Sequence, residues 1–426
     1  MNLVSRAGLA GLTALLVLAP VGRASAQENP PCDAIPGLTG PVIYGVGGSA
    51  QTPLIGRIAS ALASAADPIT IVYQDSGACK ALEGLDPNVA PENRYLTGEA
   101  KYWTSDSATA FKVCVLPADT SADFGSMQQY ADFCPNVDGL YEGIGDFKGP
   151  VGTVALIVPT QSSQNSISTD AVHFIFGFGD ESGVEPWVDD SYIVRRNATS
   201  AVQLYLAAAA DLPDAFNPNV GVDVKTNANS INFVAAGGVR PEAEASPGVD
   251  KPAVTVANFE ATIGFVSGEQ ADNNRDKVRT LAYQHRGQEC AYWPDSTATS
   301  FDKINVRRGL YYLWADVHFF AAIEDDGSVT DENVAKFIGY ITGDVEAPAE
   351  LPILDIFIDN GNIPRCAMQV QRDADLGALA SFQPDEPCGC YFEERANGES
   401  SCEECEDDDD CPDSDPVCRH GFCEVK

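Results

Sequence analysis

The chain has 426 residues, with 26 Lys or Arg against 62 Asp or Glu, for a formal net charge of −36. That acidic excess argues against nucleic acid as a partner, whose affinity comes mainly from basic contacts to phosphates, and suits a chain kept soluble outside the cell. The apolar fraction of 44% supports real cores, and the length allows two or three domains.

Residues 1–26 read as a secretory signal peptide. Arg6 precedes an apolar run to Pro20, and Ala24-Ser25-Ala26 is a small-residue cleavage site. The chain is therefore expected to be exported, to the periplasm or beyond, and not to span a membrane, since no later run of about twenty apolar residues follows. Residues 27–39 form a polar, Pro-rich leader. Val42-Ile43-Tyr44 is then a short strand leading into Gly45-Val46-Gly47-Gly48-Ser49-Ala50-Gln51-Thr52-Pro53. Leu54, Ile55, Ile58, Ala59 and Leu62 continue at helical spacing. A glycine turn at a strand-to-helix junction presents free backbone N–H groups and the positive end of a helix dipole, an anion seat without a basic side chain.

The same order recurs. Ile69–Tyr73 is a β-branched strand, Gln74-Asp75-Ser76-Gly77-Ala78-Cys79 a small-residue turn, and Lys80 starts a second helix. Ala100–Ser107 is aromatic, then polar. Val151–Pro159 is apolar throughout and reads as a strand buried on both faces, as in a parallel sheet. Ser168-Thr169-Asp170 caps one helix. Ser191–Arg196 reads as a strand ending on two arginines, and Asn197–Ser200 caps an Ala/Leu-rich helix. Ala261–Val266 and Leu310–Trp314 read as further strands. Thr330 caps a helix carrying Val334, Phe337, Ile338 and Ile341. Strand–turn–helix repetition predicts an α/β fold with largely parallel sheets.

Near Pro384 the character changes. Residues 386–426 hold fourteen acidic residues, three basic ones and seven of the thirteen cysteines. So short a piece cannot bury much core, which predicts stabilisation by disulfides. An odd cysteine total leaves at least one thiol unpaired in a monomer. Cys79 and Cys114 are candidate partners for a bridge near the first turns. The run Glu406–Asp410 lacks the alternation of a calcium loop and reads as a solvated acidic stretch. No metal-ligand spacing and no cofactor fingerprint is present.

Four segments in order resemble the phosphate-binding component of bacterial phosphate ABC transporters, a type II periplasmic-binding-protein family. They are Gly45–Pro53, Tyr73–Cys79, Thr104-Ser105-Asp106 and Arg195–Ala201. The resemblance spans roughly residues 40–345 and implies two α/β lobes with an oxyanion between them. Lobe 1 is expected at about 40–150 and 300–385, lobe 2 at about 151–299, and the cysteine-rich tail from 386. It implies that Ser49 and Ala50 bind through the first helix start and that Ser76 donates from the second. Asp106 would accept the proton of monohydrogen phosphate, and Arg195 would grip the anion with two hydrogen bonds. Thr199 and Ser200 take the places of the family's serine and glycine. Ala201 removes a threonine hydroxyl, so the fourth motif is altered. Inorganic phosphate or a related oxyanion is the implied ligand, and an ABC transporter permease the implied partner.

Taken singly, the same residues have plainer readings. Asp106 alone is a turn cap, Arg195 and Arg196 are charges at a strand end, and the 310–314 aromatics are core. The competing reading of the whole is a secreted or surface interaction protein on a degenerate scaffold, with little phosphate affinity. An enzyme is disfavoured, because no activated nucleophile or general-base pair is legible.

Overall fold

The computed structural model describes residues 29–38, 40–105, 110–129, 131–134, 139–213, 216–240, 244–246, 249–251, 253–412 and 417–425. The expected signal peptide and Asp106 lie outside these. The strands that matter below are β1 (Val42–Gly47), β2 (Thr70–Gln74), β3 (Glu99–Tyr102), β4 (Lys112–Val115), β5 (Phe124–Met127) and β6 (Ile144–Pro159). They continue with β7 (Val194–Arg196), β8 (Val222–Val224), β9 (Gly264–Ser267), β10 (Val278–Thr280) and β11 (Trp314–Ala322). The helices include α1 (Thr52–Leu62), α2 (Lys80–Glu83), α3 (Thr169–Phe178), α4 (Ala201–Ala209), α5 (Asn227–Ala235) and α6 (Gly268–Asp272). Toward the C-terminus come α7 (Glu332–Thr342), α8 (Ile353–Asn360) and α9 (Gly389–Asn397).

The fold is two-lobed α/β, and one long strand serves both lobes. The main sheet runs β9-β6-β11-β5-β1-β2-β3-β4, with β10 also on β6. The first part of β6 pairs with β11, from Ile144↔Ala322 to Thr153↔Trp314. Its last residues pair with β9 and β10. Among the apolar clusters of the described residues, two separate cores stand out. Ile43, Ile55, Ile58, Ile71, Phe124, Phe319 and Phe337 pack in one; Leu156, Phe176, Tyr205, Phe216, Phe265 and Trp314 pack in the other. Val306, Tyr311, Ile363 and Met368, expected with lobe 1, also pack in the second core. Among the described helices none is long and apolar enough to cross a membrane.

Several expectations are corrected. Only β1 with β2 and β1 with β5 are parallel in the main sheet; every pairing of β6 and β11 is antiparallel. Both faces of Val151–Pro159 are covered because helices and loops flank the strand, not because its neighbours are parallel. Leu310–Leu313 lies outside β11: the Leu313 carbonyl accepts from Val154 N at 3.0 Å, and Tyr311 Oη donates to the Val154 carbonyl at 2.6 Å. Asp331, not Thr330, caps α7, because its carboxylate accepts from Asn333 N and Val334 N. Ser168 does cap α3, accepting from Ala171 N at 3.2 Å.

The disulfides also differ from the bridge expected between Cys79 and Cys114. Cys79 pairs with Cys134 and Cys114 with Cys32. The tail carries Cys390–Cys402, Cys405–Cys418 and Cys411–Cys423, and Cys290 is free and exposed. The tail is stapled to the body by Cys366–Cys388. Cys388 and Phe392 sit in the second core, Arg307 pairs with Glu393 at 2.6 Å, and Arg395 pairs with Asp359 at 2.8 Å. The acidic run folds on itself: Asp410 accepts from Glu406 N, Asp407 from Asp409 N and Asp408 from Cys418 N.

Candidate functional site

β1 ends where Gly47 passes under β5. A Cβ there would meet the Ser126 carbonyl at 1.9 Å, so only glycine fits. Gly48 N donates to that carbonyl, and buried Tyr73 Oη donates to the Gly48 carbonyl at 2.9 Å. Pinned on both sides, the chain turns into a short 3-10 segment, Ser49–Gln51, that runs straight into α1. The amides of Ser49 and Ala50 open this turn and have no acceptor within it.

Beside it, Gly77 N donates to the Gly47 carbonyl at 3.1 Å, which brings the second turn against the first. The helix that follows Ser76 has only four residues, Lys80–Glu83. Ser76 therefore contributes an exposed hydroxyl and a turn rather than a strong helix dipole. Asp75 also faces this space, and its carboxylate is paired with Lys101.

The opposite wall comes from the second lobe. β7 leads through Asn197–Ser200 into α4, whose N-cap is Ser200 with no side-chain cap bond. Asn197 Nδ2 donates to Thr199 Oγ1 at 3.0 Å. The walls approach closely: a Cβ on Gly77 would lie 3.9 Å from Thr199 Oγ1. Beneath them Ala78, Cys79, Leu82, Ala201 and Leu204 form one apolar cluster. Ala201, 7% exposed, thus packs against the first lobe while lining the cleft.

Between the walls lies a cleft of about 250 Å³. Ser49, Ala50, Ser76, Thr199 and Ser200 all line it. Arg195 does not. Its Nε donates to the Val220 carbonyl, its Nη2 to the Pro218 carbonyl, and its Nη1 pairs with Asp223 at 3.1 Å. The arginine that lines the cleft is Arg196. Its Nη1 donates to Asn227 Oδ1, its Nη2 to the Lys225 carbonyl at 2.9 Å, and its buried Nε has no partner. Burial brings its pKa down to about 10, against the pull of Asp223, so it is still a cation at neutral pH.

Lys225, Thr226 and Asn227 complete the lining. They occupy a third junction, where β8 passes into α5 under the Thr226 cap, whose Oγ1 accepts from Asn229 N at 3.1 Å. A β-branched run followed by Lys-Thr-Asn and a helical pattern was the sequence signal for it. The cleft thus presents two cations, Arg196 and Lys225, and the starts of α1, α4 and α5, against one carboxylate already paired. That arrangement suits a small anion.

No protein-family model matches the chain, and no curated protein matches it. Among solved structures, an ABC-type phosphate transport receptor from Vibrio cholerae is similar at 12% identity, over 75% of this chain and 99% of that one, with a TM-score of 0.46. A putative phosphate ABC transporter substrate-binding protein from Clostridium perfringens with bound phosphate reaches 13%, 76%, 99% and 0.47. The reduced OxyR regulatory domain from Pseudomonas aeruginosa reaches 8%, 71%, 95% and 0.35. TM-scores of this size leave the functional reading to the chain's own residues.

Proposed function

We propose that the chain is an exported solute-binding protein that holds an oxyanion, phosphate first, between its two lobes. The observation that carries this is the convergence on one cleft of Ser49, Ala50, Ser76, Thr199 and Ser200 with Arg196, whose buried Nε lacks a partner. A buried, unsatisfied donor on a cation costs free energy unless a ligand accepts from it. The helix starts add N–H groups and positive dipole ends. β6 and β11 are the segments about which the lobes would close, and an ABC transporter permease is the partner such a protein would serve.

Binding is favoured over catalysis because the hydroxyls of Ser49, Ser76, Thr199 and Ser200 have no histidine among the described lining residues to take a proton. Isothermal titration of the purified mature protein with phosphate and with sulfate tests the reading. Heat is expected with phosphate, and its absence up to millimolar concentration would sink the proposal. In that case the cleft would be a relic and the surface-interaction reading would take over.

A further inference from the structure

Behind the cleft a chain of hydrogen bonds runs inward from Arg196. Arg196 Nη1 donates to Asn227 Oδ1, Asn227 Nδ2 donates to Ser267 Oγ at 2.9 Å, and Ser267 Oγ donates to Glu269 Oε1. Every donor points the same way, toward the carboxyl. Arg196, Ser267 and Glu269 are 3%, 0% and 4% exposed, so both ends of the path are buried, while Asn227 between them is half-buried and lines the cleft.

We propose that Glu269 is a positioning residue for the cleft, and that its proton count, felt by Arg196 through Asn227 and Ser267, sets how tightly the cleft holds an anion. This rests on the anion-binding reading above. An ionised Glu269 and a bound anion both draw on the positive charge of Arg196, which with Arg195 already faces Asp223 on β8. With Glu269 neutral, that charge is left to the ligand. By linkage, anion binding takes up a proton at Glu269, and affinity falls as the carboxyl ionises.

The surroundings place this change near neutrality. Burial pushes the Glu269 carboxyl up to about 7, with the Ser267 hydrogen bond working against it and Asp272 adding to it. Asp272, on the same helix, is compensated by Lys303 and Arg275, and Lys303 and Arg275 also bind Asp295. Across α6, β6 presents Thr153 and β9 presents Ser267, neither of which titrates. On β10, Arg279 is turned to the Ser162 and Gln164 carbonyls. On α5 the facing group is Asn227, with Lys225 just before it at the cleft. At the end of α8, Asp359 is held by Arg395. Glu269 thus lacks a direct cationic partner among these groups and meets Arg196 only through the relay.

The test is the phosphate affinity of the full-length mature protein and of Glu269→Gln at pH 6, 7 and 8. Phosphate's own titration is common to both and cancels in the ratio. The two should agree at pH 6, and Glu269→Gln should bind about tenfold more tightly at pH 8, as expected for like charges about four hydrogen bonds apart, the anion–Arg196 bond included, at an effective dielectric of about 20. Ser267→Ala breaks the path between Asn227 and Glu269 and removes the hydroxyl that favours the ionised carboxyl, so the fall in affinity between pH 6 and pH 8 should shrink as it does in Glu269→Gln; this variant serves equally if Glu269→Gln does not fold. Parallel pH profiles in the wild type and the variants would overturn the proposal while leaving the anion site standing. Absence of binding in the wild type at every pH would remove the anion reading itself.

Discussion

Arg195 and Arg196 are chain neighbours whose guanidinium groups do opposite work. Successive side chains on a strand leave on opposite faces, so β7 sends Arg195 to Asp223 and the carbonyls of Pro218 and Val220, and sends Arg196 to the cleft. Replacing each should therefore have a different signature. Arg196→Gln is expected to weaken phosphate binding about ten- to a hundredfold, the worth of a lost charge-assisted hydrogen bond of about 1.5–3 kcal/mol, with the fold intact. Arg195→Gln removes one of the two guanidinium groups that stabilise part-buried Asp223, together with the bonds to the Val220 and Pro218 carbonyls, and is expected to cost about 1.5–3 kcal/mol of stability. Calorimetric titration beside thermal melting separates the two. Equal loss of affinity in both variants would contradict the assignment.

Ala201 takes the place that the family resemblance gives to a threonine, and its methyl packs with Ala78, Cys79 and Leu204 at the seam between lobes. Ala201→Thr is expected to overpack that seam and lower stability by about 1–3 kcal/mol without tightening phosphate binding. A melting curve and one titration suffice. Much tighter binding would mean that the seam opens easily and that the hydroxyl is the missing donor.

The Cys366–Cys388 bridge, with a sequence separation of 22 residues, ties the tail to the second core. Replacing both cysteines with serine is expected to cost about 2–4 kcal/mol and to expose the segment after residue 386 to protease, since α9 is then held to the body only by non-covalent contacts such as those of Tyr391, Phe392, Glu393 and Arg395. Phosphate affinity should be unchanged, because no tail residue is among those lining the cleft. Limited proteolysis followed by mass spectrometry of the fragments reads the outcome directly.

Glu269 also makes a prediction for stability. Its folded-state pKa, about 7, lies above its ordinary value of 4.5. The folded protein therefore holds this proton more tightly than the unfolded chain does. The contribution is fully present below about pH 4.5 and is lost as pH rises toward 7, by up to roughly 3 kcal/mol at about 1.4 kcal/mol per unit. Urea unfolding at pH 4.5, 6 and 7.5 should show that decline in the wild type. Glu269→Gln should lack this share of the slope, and identical slopes would place the proton elsewhere.

Much of the framework was legible from local chemistry. The glycine run before α1, the Ser168 cap and the apolar stretch of β6 depend on interactions within a few residues, and these a sequence displays. The same holds for a tail too small to stabilise itself without disulfides. What depended on distance was not legible. Whether Arg195 or Arg196 faces the cleft turns on the register of a three-residue strand against the rest of the second lobe, and one step of register exchanges the two. Lys225 and Asn227 gain meaning only because β8 lies beside β7. Cys79 and Cys114 each sit near a plausible partner in sequence, and only the approach of Cys134 and Cys32 in space decides between them. The sequence alone thus determined the α/β alternation, the acidic character and the glycine turn that opens the first wall. Tertiary structure decided which cation stands opposite, and that a buried glutamate lies behind it, because long-range packing sets which way a side chain leaves its strand.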